Sequence, residues 1–489
     1  MVEKSNKQKV VKGISSQTLV TITNGIVEIL SFSIMSRLLT KEDFGYYAVL
    51  VGITTVFASL SETGIGSAII QKKELNKKYI NNAFTLSFLV GIILTLSLCL
   101  TAGPIAQIVA DYTIRIPLIL MSITLLCHCL TSVSNSLMQR KMKFITLGMI
   151  RLVSLVITTI IAIILALYHY GYYAILVKTV LSSIISLFLS FYFAHTRFRF
   201  EFNRSIFQSI LGYSGWLMAS AFFRNLAQQA DRLLMSRLLS ITILGAYNRP
   251  KDLINQISSQ FTTIFDVVLF PVLSNIQDKK ESMQNAYIKS FYFLNMFSML
   301  LALSFIFNTE LIIRIFLGDN WMELSSLFRV LSISVIFVVD GTIADCYFRS
   351  LALTKQQFYF RILQFALSLL GVWIGSMGGM IGIAISVVSV NLLMIITKLY
   401  YLQNKIGVSL RDVIKTILSS WRFVIILVPI MIIITILTNN SWLGNSIVLF
   451  IWILGLSILF LLFPSLIGQP YKEHIYGMIV SCLKKRSFK

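Results

Sequence analysis

Long apolar runs separated by short polar segments repeat along the whole chain of 489 residues. Runs such as 79–100 and 147–167 hold about twenty residues with almost no charge, which lets a helix cross a bilayer core of about 30 Å. The pattern predicts fourteen membrane-spanning helices. They lie near 14–36, 45–70, 80–103, 115–138, 146–168, 172–194, 206–235, 247–273, 286–308, 324–348, 359–377, 379–401, 417–438 and 443–464. We therefore expect an all-α polytopic membrane protein.

Composition and charge distribution agree with this class. Hydrophobic residues make up 56% of the chain and charged residues 13%, against about 25% charged residues in soluble domains. The net charge of +22 would suit nucleic acid, but its distribution excludes that partner. With the N-terminus inside, the cytoplasmic segments hold 29 of the 42 basic residues and the outer loops hold five. This bias predicts that both termini are cytoplasmic, and the charge also favours anionic lipid head groups.

Two distant stretches share one skeleton. SRLLTKEDFGYY (36–47) and SRLLSITILGAY (236–247) both read S-R-L-L, five variable residues, then Gly-x-Tyr. Two further landmarks follow in the same order, KKELNKKYI against KKESMQNAYI and LMQRKMKF against LALTKQQF. Because each half then has an even number of helices, the sequence predicts two parallel six-helix repeats around a central cleft. The predicted divisions are an N-terminal bundle, a cytoplasmic linker, a C-terminal bundle and an appended helix pair with a basic tail, at 1–194, 195–205, 206–404 and 405–489.

Ionisable residues recur inside the predicted spans, where each costs about 2.5–3.5 kcal/mol. In the seventh helix Arg224, Gln228 and Asp231 stand at i, i+4 and i+7 on one face. A corresponding polar stripe lies on the first helix, at Asn24, Glu28 and Ser31. The candidates for binding an anionic substrate are cations and amides of the spans: Arg224, Lys178, Arg249, Asn24 and Gln228. The candidates for coupling or gating are acids: Glu28, Glu62, Asp231 and Asp345.

Structural interpretations stay open for the same residues. Arg249 lies within about two turns of an interface, where long side chains reach water. Arg224 and Asp231 would also neutralise each other as a pair on one helix. Cys127 and Cys129 flank His128, but adjacent positions on a helix diverge and cannot share a metal. We predict no metal site, no cofactor and no catalytic residue.

Three motifs carry a family resemblance: SRLLTKEDFGYYAV, SETGIGSAIIQKKE and VLFPVLSNIQDKKE. With them the chain resembles the Wzx-type lipid-linked oligosaccharide flippases, and among these the exporters for capsule, colanic acid and teichuronic acid synthesis. The matching positions are Glu62, Gly64, Gly66, Ala68, Gln71, Asp231, Leu233, Leu234, Phe270, Pro271, Ser274 and Gln277. Lys178 departs from the family pattern, which more often has a neutral amide there.

The resemblance implies membership of the multidrug/oligosaccharidyl-lipid/polysaccharide exporter superfamily. It implies a flippase that turns an undecaprenyl-diphosphate-linked oligosaccharide from the inner to the outer leaflet of the bacterial cytoplasmic membrane by alternating access. Expected partners are this glycolipid, membrane lipids, an H⁺ or Na⁺ coupling ion and the polysaccharide polymerase machinery. Arg and Lys suit a diphosphate because they form charge-assisted hydrogen bonds with its oxygens.

Three other functions stay open. A cation-coupled multidrug exporter needs an acidic, apolar cavity, whereas the candidates here include Arg224, Lys178 and Arg249. A peptidoglycan lipid-precursor flippase would handle nearly the same substrate chemistry. A membrane-embedded glycan polymerase or ligase is disfavoured, because the longest outer loop, 308–323, is short and no catalytic set stands out. The sequence contains no P-loop, so we expect no direct use of ATP and no enzymatic activity.

Overall fold

The structure is a computed structural model. It describes residues 20, 23–62, 65–72, 75–109, 111–141, 143–194, 199–276, 280–351, 353–409, 411–412, 414–419, 421 and 429. Within these ranges the backbone is helical apart from short connections, and no β-strand is present. The expected all-α class is confirmed. Helices suit an apolar chain in a bilayer because their backbone hydrogen bonds are satisfied within one segment.

The described α-helices are numbered α1 to α14 in chain order. Their bounds are 23–38 (α1), Lys41–Glu62 (α2), Ile65–Gln71 (α3), Lys77–Val109 (α4), Arg115–Arg140 (α5), Phe144–Leu167 (α6), Tyr173–Ala194 (α7), Arg204–Leu238 (α8), Ile241–Ile276 (α9), Lys280–Phe307 (α10), Thr309–Phe316 (α11), Ser325–Ser350 (α12), Thr354–Ser376 (α13) and Gly379–Ile406 (α14). Short 3₁₀ helices, Tyr112–Ile114 and Asp319–Leu324, precede α5 and α12.

Nine helical segments in the described part of the chain are long and apolar enough to cross a membrane. They are Lys41–Leu60, Lys77–Gln107, Tyr112–Arg140, Phe144–Leu167, Tyr173–Ala194, Lys280–Phe307, Asp319–Ser350, Lys355–Ser376 and Gly379–Ile406. The predicted spans 206–235 and 247–273 coincide with α8 and α9. The predicted span 443–464 and most of 417–438 lie outside the described residues. The chain is a multi-pass membrane protein.

The helices form two compact units. The first comprises Met1–Arg249 and Arg361–Ile383, and the second comprises Pro250–Phe360 and Ala384–Lys489. The long helix α8 belongs to the first unit, where it packs against α2 and α4. This division follows packing, whereas the predicted boundary at 195–205 follows the sequence repeat, and the repeat boundary stays a prediction.

Each unit has its own apolar interior. In the first, Ile69 of α3, Val133 of α5 and Ile210 of α8 are fully buried in one cluster. In the second, Phe297 of α10 and Phe328 of α12 are fully buried. Since lipid tails are as apolar as these side chains, close packing between helices, rather than escape from water, holds such interiors together.

The repeated stretch forms a similar helix start in both halves. The hydroxyls of Thr40 and Ser240 cap α2 and α9, accepting from the amides of Asp43 at 3.2 Å and Ile243 at 3.3 Å. In the first copy the Asp43 carboxylate also accepts the Thr40 amide at 3.0 Å, which completes a capping box. Ile243 cannot make the second bond, so the two starts differ only in the reciprocal half of the cap.

The glycines of the repeat, Gly45 and Gly245, lie where α2 and α9 cross. A Cβ on Gly45 would overlap the backbone carbonyl of Ile241, and a Cβ on Gly245 would overlap the carbonyl of Lys41. Lys41 and Ile241 are the first residues of α2 and α9, so the contact is reciprocal. Small residues allow helix backbones to approach this closely. The shared glycine of the two stretches is therefore explained by a helix crossing.

Candidate functional site

The polar stripe predicted on the first helix lies on α1 and contacts α6. Asn24 is buried and donates its side-chain amide to the carbonyl of Gly148 at 3.3 Å. Glu28 forms an ion pair with Arg151 at 3.5 Å. The Arg151 side chain is 66% exposed and that of Glu28 is 37% exposed, so both charged groups remain accessible.

Lys178 of α7 reaches the same face of α1. Its ammonium donates to the hydroxyl of Ser31, which also accepts a hydrogen bond from the hydroxyl of Thr159 at 3.0 Å. The side chain is half-buried, and the charges of Arg249 and Glu28 are close enough to act on it. The ammonium of Lys178 is therefore hydrogen-bonded to Ser31, one of the three residues of the polar stripe of α1.

Arg249 of α9 is buried, and its guanidinium is held by α1 and α2. Its Nε donates to Ser36 Oγ at 2.8 Å, and its Nη2 donates to the carbonyl of Phe32 at 2.6 Å. Its Cζ lies 3.2 Å from the ring centroid of Phe32 and 4.0 Å from that of Phe44, as in cation–π contacts. This geometry favours the structural interpretation of Arg249 over direct contact with a substrate.

Three cations from three different helices thus lie along α1. We call them the basic ladder: Arg151, Lys178 and Arg249. They contact Glu28, Ser31 and Ser36 in that order. From the first to the last of these α1 residues the helix rises by about 12 Å, at about 1.5 Å per residue. The ladder is a column of positive charge along α1 of the first unit, and it runs from the exposed Arg151 to the buried Arg249.

The stripe predicted on the seventh helix divides along α8. Arg224 and Gln228 are exposed, whereas Asp231 is buried, with 3% of its surface exposed. Tyr247, the last residue of the repeated stretch, donates its hydroxyl to Asp231 Oδ2 at 3.2 Å. Asp231 therefore joins α8 to α9. The three residues lie on one face of α8, as predicted from their spacing, but they differ in burial: two are exposed and Asp231 is buried.

Two residues that contact the candidates were not chosen as site residues from the sequence. Arg151 and Arg232 were not selected, although each stands in an apolar segment. Arg232 is buried, and its Nε donates to Asn248 Oδ1 at 2.8 Å. For Arg232 and Asn248 the sequence did offer a signal. Each directly follows one residue of the Asp231–Tyr247 pair in the chain.

In the second unit, Asp345 of α12 forms an ion pair with Lys398 of α14 at 2.9 Å. The two side chains are 16% and 5% exposed, so this is a largely buried and mutually neutralised pair. Glu62 is the last residue of α2, and its side chain lies outside the described part, as does that of Gln71. The part of the chain that the structure describes contains no group of three or more His, Cys, Asp or Glu suited to a metal ion.

Near the start of α2, Tyr46 contacts Asp111, which lies in the connection between α4 and α5. The Asp111 carboxylate accepts from the Tyr46 hydroxyl at 3.0 Å and from the amide and hydroxyl of Thr113 at 2.9 and 2.7 Å. Burial acts to raise the pKa of Asp111, but the hydrogen bonds from Thr113 and Tyr46 outweigh it and lower the pKa. The Tyr46 ring stacks on Tyr172 with centroids 4.9 Å apart.

Comparison with known proteins identifies relatives over most of this architecture. Residues 34–326 match the family described as "Polysaccharide biosynthesis protein". The lipopolysaccharide biosynthesis protein WzxC of Escherichia coli (strain K12) is 21% identical over 426 residues, 85% of each chain. The succinoglycan biosynthesis transport protein ExoT of Rhizobium meliloti (strain 1021) is 25% identical over 266 residues, 53% of this chain and 52% of that protein. The teichuronic acid biosynthesis protein TuaB of Bacillus subtilis (strain 168) is 22% identical over 345 residues, 67% and 68% of the two chains.

Solved structures show where the fold recurs. The lipid II flippase MurJ in an inward closed conformation superposes with a TM-score of 0.71 at 16% identity, covering 92% of this chain and 98% of that one. A multidrug resistance MATE family transporter of the MOP superfamily, in an inward-facing conformation, superposes with a TM-score of 0.64 at 13% identity. The match covers 80% of this chain and 98% of that one. At these identities the likeness concerns the fold alone.

The helical fold and these relatives define the class: a multi-pass membrane transporter of polysaccharide biosynthesis. The chain belongs to the polysaccharide biosynthesis protein family, whose match covers more than half of its length. The resemblance to Wzx-type exporters noted from the three motifs is confirmed.

Proposed function

We propose that this protein carries an undecaprenyl-diphosphate-linked oligosaccharide from the inner to the outer leaflet of the bacterial cytoplasmic membrane, with both of its termini in the cytoplasm. The basic ladder is the observation that carries the proposal. Relatives concerned with lipopolysaccharide, succinoglycan and teichuronic acid biosynthesis support a glycan as the cargo. The reaction we propose is translocation without covalent chemistry, so the protein is not an enzyme.

The ladder suits a diphosphate because its positive charge is only partly balanced. Arg151 and Lys178, the two members that can reach a ligand, supply two positive charges, and Glu28 pairs with Arg151. At an effective dielectric constant of about 20, each opposite pair of charges about 4 Å apart gains about 4 kcal/mol. A lipid diphosphate carries negative charge on both phosphates, so it can replace water around this column without leaving the charge unpaired.

The three cations have different tasks in this proposal. Arg151 is mostly exposed and Lys178 is half-buried, so their donors can reach a phosphate oxygen. Arg249 already donates to Ser36 and to Phe32, and it contributes charge and holds α9 in place. We therefore assign direct diphosphate contact to Arg151 and Lys178, with Glu28 as the group that Arg151 leaves when the diphosphate binds.

The reciprocal glycine contact supports alternating access as the mechanism. In the proposed topology α2 and α9 both begin at the outer face, and Gly45 and Gly245 bring their backbones together there. With this contact formed, the outer ends of the two helices are closed on each other. Release of the glycan to the outer leaflet would require them to separate, and loading would occur with the crossing closed.

Reconstitution tests the proposal. The protein is placed in vesicles with a fluorescent undecaprenyl-diphosphate oligosaccharide, and the outer-leaflet fraction is measured with an impermeant reagent that destroys the label. Lys178→Met keeps the length of the side chain but removes its charge. A hydrogen bond to a charged group is worth about 1.5–3 kcal/mol, so we expect binding about 10- to 150-fold weaker.

Lys143→Met is the matched control, because Lys143 is an exposed cation just before α6. We expect its transport rate to equal that of the unchanged protein. Equal rates for the variants Lys178→Met and Arg151→Gln, at equal protein level, would refute the assignment of the ladder to the diphosphate. Movement of the label in vesicles without protein gives the background.

A further inference from the structure

Asp340 is a buried acid in the second unit that the mechanism above does not use. It lies inside the span Asp319–Ser350, with 3% of its surface exposed. Asn295 of α10 donates its side-chain amide to Asp340 Oδ2 at 2.7 Å. The other oxygen, Oδ1, is buried and has no hydrogen-bond partner in the described part of the chain. Sequence reasoning did not select Asp340 for coupling.

Asp345 provides a comparison on the same helix. Its carboxylate is balanced by the ammonium of Lys398 at 2.9 Å, whereas Asp340 has a neutral amide. A bare carboxylate in such surroundings is costly, while a neutral carboxylic acid is not. A proton on Oδ1 removes the charge and leaves Oδ2 as the carbonyl oxygen that accepts from Asn295. A protonated Asp340 therefore keeps the observed hydrogen bond and leaves no charge on the buried carboxyl group.

A metal cation fits this place less well than a proton. Asn295 directs an N–H group at the carboxylate, and an N–H group repels a cation. Hard cations such as Ca²⁺ take about six to eight oxygen ligands. The described residues offer no cluster of three or more His, Cys, Asp or Glu.

Other ionisable groups lie on the elements that neighbour Asp340. From α10, the phenol of Tyr287 is close enough to interact electrostatically with Asp340. On α9 the side chain of Asp266 lies outside the described residues. Three ion pairs join these elements. They are Arg314 of α11 with Asp319 of the second 3₁₀ helix, Arg329 of α12 with Glu310 of α11, and Lys398 of α14 with Asp345 of α12.

A small cavity of about 10 Å³ lies near the Asp340–Asn295 pair, neither of which is among its lining residues. Its lining includes Leu294 and Val339, which adjoin Asn295 and Asp340 in the chain. The other lining residues are Thr262, Leu269, Thr342, Ile343 and Cys346. The lining is mostly apolar, and the cavity has room for about one water molecule, with the hydroxyls of Thr262 and Thr342 as its hydrogen-bond partners.

We propose that Asp340 and Asn295 form a proton-binding site that couples transport to a proton gradient. The coupling rests on the proposed function, whereas the site itself does not. Release breaks the O–H bond at Oδ1, passes the proton to a water molecule in the cavity and leaves a carboxylate. Uptake reverses the step, and one proton moves per cycle of the site.

Infrared difference spectroscopy tests the site without any transport. The unchanged protein is compared with Asp340→Asn and with Asp345→Asn, which removes the paired acid of the same helix. We expect the C=O stretch of a protonated carboxylic acid in the unchanged protein and in Asp345→Asn, and its loss in Asp340→Asn. Persistence of the band in Asp340→Asn would overturn the site.

Asn295→Ala keeps the acid and removes its hydrogen bond, so it also serves if Asp340→Asn does not fold. We expect the same band at higher frequency, and an unmoved band would overturn the assignment.

Vesicle transport with an imposed pH gradient then tests coupling. We expect the gradient to accelerate the unchanged protein and Asp345→Asn but not Asp340→Asn. A gradient effect retained in Asp340→Asn would overturn the coupling, and a lack of transport in the unchanged protein would overturn the proposed function while leaving the spectroscopic result standing.

Discussion

Replacing Gly245 by alanine tests the helix crossing that the repeat builds. The added Cβ would overlap the carbonyl of Lys41 and the amide of Gly45, which are backbone atoms and cannot rotate away. Such overpacking costs about 1–3 kcal/mol. The same substitution gains about 1 kcal/mol of helix propensity, so a control that gains propensity without overlap is needed.

Gly103 of α4 is that control, because a Cβ there meets nothing within 4 Å. The difference between Gly245→Ala and Gly103→Ala then isolates the overlap, about 1–3 kcal/mol. If separation of α2 and α9 relieves the overlap, the same energy shifts the balance between closed and open outer ends by about 5- to 150-fold. Transport should slow, since in the proposed mechanism loading occurs with the crossing closed.

The assay is the rate at which an impermeant maleimide labels a single cysteine at Leu244, in a protein whose five native cysteines are replaced. Leu244 is fully buried beside the crossing, so its labelling reports opening. We expect Gly245→Ala to raise the labelling rate and to lower the unfolding temperature relative to Gly103→Ala. Equal labelling rates and equal unfolding temperatures in the two variants would refute the crossing as a closing contact.

Three further predictions concern single side chains. Arg224 is exposed on α8 and stays a predicted diphosphate ligand in addition to Arg151 and Lys178. Arg224→Ala should therefore lose export at normal membrane abundance, while Arg224→Lys retains part of it, because Lys keeps the charge but not the bidentate fork; full export by the alanine variant would make Arg224 structural. Asp231→Leu removes the carboxylate that accepts from the buried hydroxyl of Tyr247 and should destabilise the protein by about 1–3 kcal/mol, and adding Tyr247→Phe should recover part of this in thermal unfolding. Asp111→Asn should lower stability above the ordinary aspartate pKa of 3.8, because the folded-state pKa is lowered. That difference should vanish as the pH falls through the folded-state pKa, and a difference independent of pH would contradict the assignment to the carboxylate.

Hydropathy, charge bias and the internal repeat determine the class of this protein, because each is a local property of the chain. A run such as 147–167 must be a helix in a bilayer whatever it packs against, and α6 occupies Phe144–Leu167. The repeated stretches also form similar helix starts, which Thr40 and Ser240 cap. Helical periodicity also placed Asn24 and Glu28 on one face of the first helix, as observed.

Periodicity says which face of a helix is polar, but it does not say which helix that face meets. Glu28 finds Arg151 at a separation of 123 residues, and Asp345 finds Lys398 at a separation of 53. Both Asp345 and Asp340 lie on α12, but only tertiary packing decides that Asp345 contacts the ammonium of Lys398 and that Asp340 contacts the neutral amide of Asn295. The physical reason is that desolvation and pairing energies depend on distances between helices. The sequence therefore determined the residues that carry charge into the membrane, and the packing decided which of those charges are neutralised.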